Sequence, residues 1–94
     1  MDESLTASSG NVFHDLGFPA EEAVILQMRA ELLTDLRKFV SDNNYTQQEV
    51  ARILGISQSR AGELMHGRWE KFSLEMLITL ATRAGIRICL SRAA

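Results

Sequence analysis

The sequence has few of the residues that build disulfide-rich, fibrous or membrane-spanning proteins. Its 94 residues include one cysteine, one proline and six glycines. The single Cys89 excludes a disulfide scaffold, and the low glycine and proline content excludes collagen-like and low-complexity chains. The longest apolar runs, such as residues 23–26, are far shorter than the roughly 18 residues that a membrane span needs. We therefore expect one soluble domain with a modest core and no membrane partner.

Signals for secretion and for catalysis are also missing. The N-terminus has no basic segment followed by an apolar one, so we expect no secretory signal and a cytoplasmic location. In that reducing compartment, Cys89 is expected to be a small buried hydrophobic residue. His14 and His66 lie far apart, one cysteine completes no zinc set, and no nucleophile motif or phosphate-binding glycine loop occurs. We therefore expect that the protein has no enzymatic activity and binds no metal and no cofactor.

Charge divides the chain into two parts. Residues 1–36 contain seven acids and a single base, Arg29, for a net charge of −6, whereas residues 37–94 contain nine bases and five acids, for +4. A basic surface attracts the DNA backbone, while an acidic surface is repelled by DNA and can meet a basic protein. Either the two parts have different partners, or both charges belong to solvated faces without a partner.

Apolar spacing and capping residues predict an all-α fold, a compact helix bundle with one short C-terminal strand. Apolar residues recur at helical spacing from Val24 to Val40, which predicts a long helix over 20–42 that Pro19 opens. Hydroxyl residues at 46, 57 and 73 are cap candidates for three shorter helices, about 47–54, 58–66 and 74–84. Residues 86–91 alternate in part with a period of two, which predicts a strand. We divide the chain into an N-terminal arm, residues 1–18, of which residues 1–10 are a predicted flexible tail, and a domain over 19–94.

The two short helices and the turn between them carry the clearest functional motif. Two helices that cross closely need small residues at their contact, and Ala51, Gly55 and Ala61 provide them. With Gln47 at the start and Leu64 closing the pair, the spacing predicts a helix-turn-helix whose core spans 46–67. In such a motif the second helix, the recognition helix, enters the major groove of DNA.

Two longer patterns resemble known families. Residues 45–67 and 72–77 resemble the XRE (phage-repressor-like) helix-turn-helix family, and this resemblance covers about 45–85. Residues 11–19 (NVFHDLGFP) and 55–60 (GISQSR) are similar to the HigA-type antitoxins of that family. The resemblance implies a dimer that represses its own operon and neutralises a toxin of the RelE/HigB type, an mRNA-cutting RNase. A stand-alone repressor and a protein-interaction module without DNA binding are the alternatives.

Two positions depart from the family pattern. Ala61 stands where the family usually has isoleucine or valine. Gly62 lies inside the recognition helix, where it costs about 1 kcal/mol of helix propensity relative to alanine. Together they predict a recognition helix that becomes firmer on DNA.

The DNA contacts are predicted on and just after the recognition helix. Gln58 can pair with adenine, and Arg60 can pair with guanine or contact a phosphate instead. Glu63 is expected to form a surface salt bridge rather than a base contact, because phosphates repel a carboxylate, and Trp69 is expected to be partly buried. Phosphate contacts are expected from Gln47 at a helix start and from Arg68 and Lys71. The full set of predicted DNA-binding residues is Gln47, Ser57, Gln58, Ser59, Arg60, Glu63, Arg68 and Lys71.

The arm is predicted to bind a basic partner protein, the toxin that the resemblance implies. Residues 11–18 place bulky apolar groups beside an acid, a mixture suited to an anchor with an acidic rim. The candidate contacts are Phe13, Asp15, Leu16 and Phe18. The alternative is that Phe13 and Phe18 close the core of their own chain.

A homodimer on a palindromic operator is also predicted, because one recognition helix supplies few contacts and this motif reads paired half-sites. The strand over 86–91 can pair across the two-fold axis. A second apolar line on the long helix, Leu26, Ala30 and Leu33, is expected to add to that surface. The alternative is a strand that pairs with residues 11–16 of its own chain.

Overall fold

The computed structural model describes residues 11–90, so the predicted flexible tail over 1–10 lies outside the described residues. Five α-helices make up this part: α1 Val12–Asp15, α2 Ala20–Asp42, α3 Gln47–Leu54, α4 Gln58–Met65 and α5 Leu74–Arg83, with a 3-10 turn, Trp69–Lys71, between α4 and α5. The predicted all-α bundle is thereby confirmed for residues 11–90. None of these helices has both the length and the apolar composition that crossing a bilayer requires.

Local capping signals set the starts of the three short helices. The Thr46 hydroxyl accepts a hydrogen bond from the backbone N–H of Glu49 (3.2 Å), and the Glu49 carboxylate accepts one from the backbone N–H of Thr46 (2.8 Å). This is the predicted capping box. Ser57 and Ser73 each accept from the backbone N–H three residues further on. Gly55 ends α3 with φ +67°, a conformation that glycine adopts without steric cost.

The core forms where α2 meets the helices that follow it. Packing of α2 against α4 and α5, and of α3 against α4, encloses a cluster of buried side chains, while α1 packs on α2 outside this cluster. Phe72 is the largest fully buried side chain, and the fully buried Leu36, Leu54, Leu64 and Leu77 belong to the same cluster. Each large aliphatic or aromatic side chain buried in this way contributes about 1.5–3 kcal/mol relative to exposure. The orientation of α3 and α4 is therefore fixed by the core beneath them.

The predicted second apolar line of the long helix faces inward. Leu26 and Leu33 are buried within their own chain and Ala30 is half-buried, so the expectation that they form a dimer surface is wrong. The exposed apolar residues in this stretch are Val24, Ile25 and Met28 instead. The reason is that α1 and α5 pack on the α2 face that carries the buried leucines. Helical periodicity alone does not distinguish between two apolar faces.

The predicted C-terminal strand is not seen. Residues 86–90 have no regular secondary structure, and Ser91 lies outside the described residues. The backbone N–H of Ile86 donates to Ala81 O (2.9 Å), continuing the end of α5. A strand needs a neighbouring strand for its hydrogen bonds, and residues 12–15, the alternative partner, are helical. Cys89 is exposed, so the prediction that it is buried is also wrong for the single chain.

The described part of the predicted arm is ordered as a short helix that docks on α2. Asn11 caps α1 by accepting from the backbone N–H groups of Phe13 and His14, and its side-chain amide donates to Ala23 O on α2 (3.0 Å). The Phe13 ring lies edge-on to Trp69, with 6.3 Å between ring centroids. Residues 11–18 therefore connect α2 to the segment that follows α4.

Candidate nucleic-acid interface

The α3–turn–α4 unit is braced from behind by α5. The contact between the two short helices buries Ala51, Ala61 and Leu64. The small alanine side chains allow the two helices to pack closely. The Arg83 guanidinium donates to Leu54 O at the end of α3 (2.7 Å) and lies beside Gly55. The turn is thus held by both its glycine conformation and a side chain from α5.

Gly62 has a packing role that the sequence pattern did not reveal. The side-chain amide of Gln47 crosses to α4 and donates to Gln58 O (2.7 Å). A Cβ atom at position 62 would lie 2.9 Å from Gln47 Nε2, closer than Cβ contacts normally are. Gly62 therefore makes room for a side chain that ties α3 to α4. The Gln47 amide is engaged in this bond, which leaves the backbone N–H of Gln47 for the phosphate contact predicted there.

The first turn of α4 presents the residues predicted to face bases. Ser57, Gln58 and Ser59 are all exposed. Ser57 Oγ is used as the helix cap, while the side chain of Gln58 extends from the exposed start of the helix. Base contacts by these three residues stay a prediction, and the exposed helix start is the geometry that such contacts require.

Arg60 and Glu63 are held against the protein surface. The Arg60 guanidinium donates to Lys71 O (2.8 Å), lies 3.3 Å from the Glu63 carboxylate and packs over the Phe72 ring at 5.6 Å from its centroid. Both side chains are about one-third exposed. A guanine or phosphate contact by Arg60 would have to use Nε or Nη2, because Nη1 makes both of these polar contacts. The surface salt bridge expected of Glu63 is present.

The segment after α4 carries the two bases predicted to contact phosphates. Arg68 and Lys71 are exposed on either side of Trp69 and Glu70, within or next to the 3-10 turn. The backbone N–H of Arg68 donates to Glu63 O (3.0 Å), so this segment starts directly from the last turn of α4. We call residues 68–72 the basic loop.

Arg29 holds the basic loop, a role that the sequence did not predict. It reaches from α2 to the basic loop, where Nε donates to Phe72 O (2.9 Å) and Nη2 donates to Trp69 O (3.0 Å). Its guanidinium also lies 5.1 Å from the centre of the Trp69 ring, which is 40% exposed. The available signal was that Arg29 is the single base in an acidic third of the chain.

The structure separates the four predicted partner-binding residues into two groups. Phe13 and Phe18 pack on each other, with 6.1 Å between ring centroids, and Phe13 is half-buried. Leu16 is 70% exposed, and Asp15 beside it is exposed as well. Leu16 and Asp15, together with Phe18, which is 39% exposed, are therefore accessible to a partner.

A family model described as a helix-turn-helix domain matches residues 12–91. The chain belongs to this helix-turn-helix family. The match begins at α1, within the predicted arm, and continues past α5, so the helix-turn-helix family pattern includes more than the α3–α4 core. No curated protein and no solved structure matches the chain. A helix-turn-helix domain is typical of DNA-binding regulators.

Proposed function

We propose that the protein is a sequence-specific transcriptional regulator that places α4 in the major groove of double-stranded DNA. The observation that carries this proposal is the exposed first turn of α4, with Gln58 at its start and Arg68 and Lys71 beyond its end. The first turn provides base contacts and the basic loop provides phosphate contacts, which is the division of labour found in helix-turn-helix complexes. The proposed function is DNA binding, without a catalytic step.

Removing the positively charged side chains of the basic loop should weaken binding to every DNA sequence alike. Each of Arg68→Ala and Lys71→Ala is expected to reduce the slope of log K against log salt by about 1, because one counterion-releasing phosphate contact is lost. The measurement is fluorescence anisotropy on a labelled mixed-sequence duplex over a salt series. Lys38→Ala, which removes an exposed charge that pairs with Asp42, is the control. Unchanged slopes in both variants would contradict phosphate binding by this loop.

We further propose that the regulator is a homodimer. Its two copies meet at the cleft between α2, α5 and residues 88–90. The cleft, about 320 Å³, is lined by exposed or half-buried apolar side chains, among them Met28, Ile78, Ile88 and Leu90. Glu31 and Asp35 lie along its α2 side. A second copy fits because Arg87, exposed on the C-terminal segment, has the charge that those acids attract across a two-fold axis.

Ile78→Asp is expected to convert the protein into a monomer, because a charge in an apolar contact must be desolvated without a partner. The measurement is light scattering at tens of micromolar, where the wild type should have twice the mass of one chain. Leu16→Asp, a matched change at an exposed apolar residue outside the cleft, should leave the dimer intact. A wild-type protein that is monomeric under these conditions would remove the dimer from the proposal.

The exposed part of the arm favours an antitoxin among the possible regulators. Val12 is 60% and Leu16 70% exposed, and the exposed acidic residues Asp15, Glu21 and Glu22 lie in the same stretch of the sequence. An RNase toxin has a basic RNA-binding surface, which an acidic and apolar segment complements. This arrangement and the resemblance to HigA-type antitoxins support autorepression coupled to neutralisation of a RelE/HigB-type toxin. A stand-alone repressor is the second candidate.

Leu16→Ser should weaken rescue from the toxin while DNA binding is kept. Leu16 is an exposed anchor candidate, and the aromatic contact to Trp69 is made by Phe13, so the substitution keeps that contact, whereas deletion of residues 1–18 would remove it. The assay is growth rescue in cells that express a toxin of the RelE/HigB type, together with a mobility shift. Ile25→Ser, at an exposed apolar residue of α2 outside both the arm and the cleft, is the matched control. Full rescue by Val12→Ser/Leu16→Ser would move the toxin contact elsewhere.

A further inference from the structure

The basic loop is held by two arginines that come from different parts of the chain. Three of its backbone carbonyls accept side-chain hydrogen bonds: Trp69 O and Phe72 O from Arg29, and Lys71 O from Arg60. A short loop of this kind has few backbone bonds of its own, here the turn bonds from Lys71 N to Arg68 O and from Phe72 N to Trp69 O. The two guanidinium groups therefore act together with the buried Phe72 ring and the bond from Arg68 N to Glu63 O in fixing where the loop lies relative to α4.

Arg29 makes the larger share of these contacts. Its planar fork donates through Nε and Nη2 to two carbonyls at once, and its face packs on the Trp69 indole, 5.1 Å from the ring centroid. Lysine has a single donor group and no planar face, so it cannot reproduce this geometry. Phe13 packs against the same indole. The Arg29 side chain thus holds the loop on α2 through both the planar shape and the charge of its guanidinium group.

We propose that Arg29 is a positioning residue for DNA binding, which acts by holding the basic loop so that Arg68 and Lys71 are already in place for the phosphates. This inference rests on the proposed DNA binding. Arg29 uses Nη2 and Nε on Trp69 O and Phe72 O of its own chain, at a partly buried position. A loop that is fixed before binding avoids the entropy cost of ordering two long side chains when DNA arrives. Arg29, the single basic residue among residues 1–36, thereby supports the phosphate contacts of the basic part of the chain.

The test compares Arg29→Lys and Arg29→Gln with the wild type on a labelled mixed-sequence duplex of about 25 base pairs, long enough for two half-sites. Both variants are expected to bind roughly tenfold more weakly, since the loop must be ordered on binding. Lys38→Gln removes one charge from the same helix and should bind as the wild type does. Wild-type affinity in Arg29→Lys would overturn the proposal, because charge alone would then be sufficient.

A double-mutant cycle separates positioning from a general loss of structure. In the Arg68→Ala/Lys71→Ala background, Arg29→Lys should change affinity by less than about twofold, because the contacts that it positions are already gone. An equal tenfold loss in both backgrounds would show that Arg29 acts independently of the loop and would overturn the proposal. If the wild type itself does not bind the duplex at low salt, the proposed function fails instead, so the two failures are distinguishable.

Trp69 provides a spectroscopic readout, since it is the single tryptophan of the chain. The fluorescence of Trp69 in Arg29→Lys should shift towards that of an exposed indole, and saturating duplex should move it back towards the wild-type spectrum as the loop becomes ordered. The wild-type spectrum should change little on binding. Circular dichroism of both proteins establishes that the helices are retained. A variant spectrum that is identical to the wild type before DNA is added would contradict the positioning role.

Discussion

Phe72→Ala should lower the free energy of unfolding by about 3–5 kcal/mol, as truncation of a buried phenylalanine to alanine typically does. Phe72 is fully buried among α2, α3, α4 and α5, and its ring supports the Arg60 guanidinium above it. Because domains of this size have only about 5–15 kcal/mol in total, such a loss moves the protein close to unfolding. Thermal and urea unfolding followed by circular dichroism measure the change.

Leu16→Ala is the matched control for this stability prediction. Leu16 is a large apolar residue that is 70% exposed, so its truncation should change the unfolding free energy by no more than about 0.5 kcal/mol. A loss below about 1 kcal/mol for Phe72→Ala would contradict the packing of the basic loop onto the core. The large difference between the two variants is expected because only the buried ring leaves a cavity when it is removed.

Gln58→Ala should cost about 1–3 kcal/mol at the preferred DNA site, roughly five- to 150-fold in affinity. The side chain of Gln58 is exposed at the start of α4, where it can pair with a base edge. The bond that joins α3 to α4 uses the backbone oxygen of Gln58, which the substitution leaves in place. Stability and binding to mixed-sequence DNA should therefore stay unchanged, while anisotropy on the preferred site shows the loss.

Gln48→Ala is the control for the base-contact prediction. Gln48 is also an exposed glutamine, but it lies on α3 rather than on the recognition helix. Its removal should leave the choice of sequence as it is. A loss of preference in Gln48→Ala equal to that in Gln58→Ala would mean that α3, not α4, faces the bases.

The local features of the fold were predictable from the sequence. Helix starts at Thr46, Ser57 and Ser73 depend on a side chain and a backbone group three residues apart, so the capping signal is contained in a few neighbouring positions. The turn at Gly55 is equally local, because it depends on the conformational freedom of one residue. These signals sufficed for the positions of α3, α4 and α5 within one or two residues.

The features that failed depend on contacts between distant residues. Leu26 was assigned to the surface because helical spacing does not reveal which apolar face meets α1 and α5. The strand over 86–91 was predicted from alternation alone, although a strand also needs a partner that this chain does not provide within residues 11–90. The role of Arg29 depends on residues 40 and 43 positions further along the chain. No local pattern records a contact at that separation.

The site was predictable to the extent that it follows the family pattern. The exposure of Gln58, Ser59, Arg68 and Lys71 agrees with their predicted roles, which still await a binding measurement. Arg60 also donates to the carbonyl of Lys71, eleven residues away, a contact that no local pattern in the sequence indicates. Gly62 was treated as a weakness of the helix, since the Gln47 side chain that needs its space lies on another helix.

The most direct test of base reading by α4 is selection from a randomised duplex library by the wild type and by Gln58→Ala. The wild type is expected to enrich a palindromic sequence with two half-sites about one helical turn apart. Gln58→Ala should keep the half-site spacing and lose its preference at one base pair in each half-site, because a single side chain has been removed from the groove. Identical sequence preferences for the two proteins would contradict the placement of α4 in the major groove.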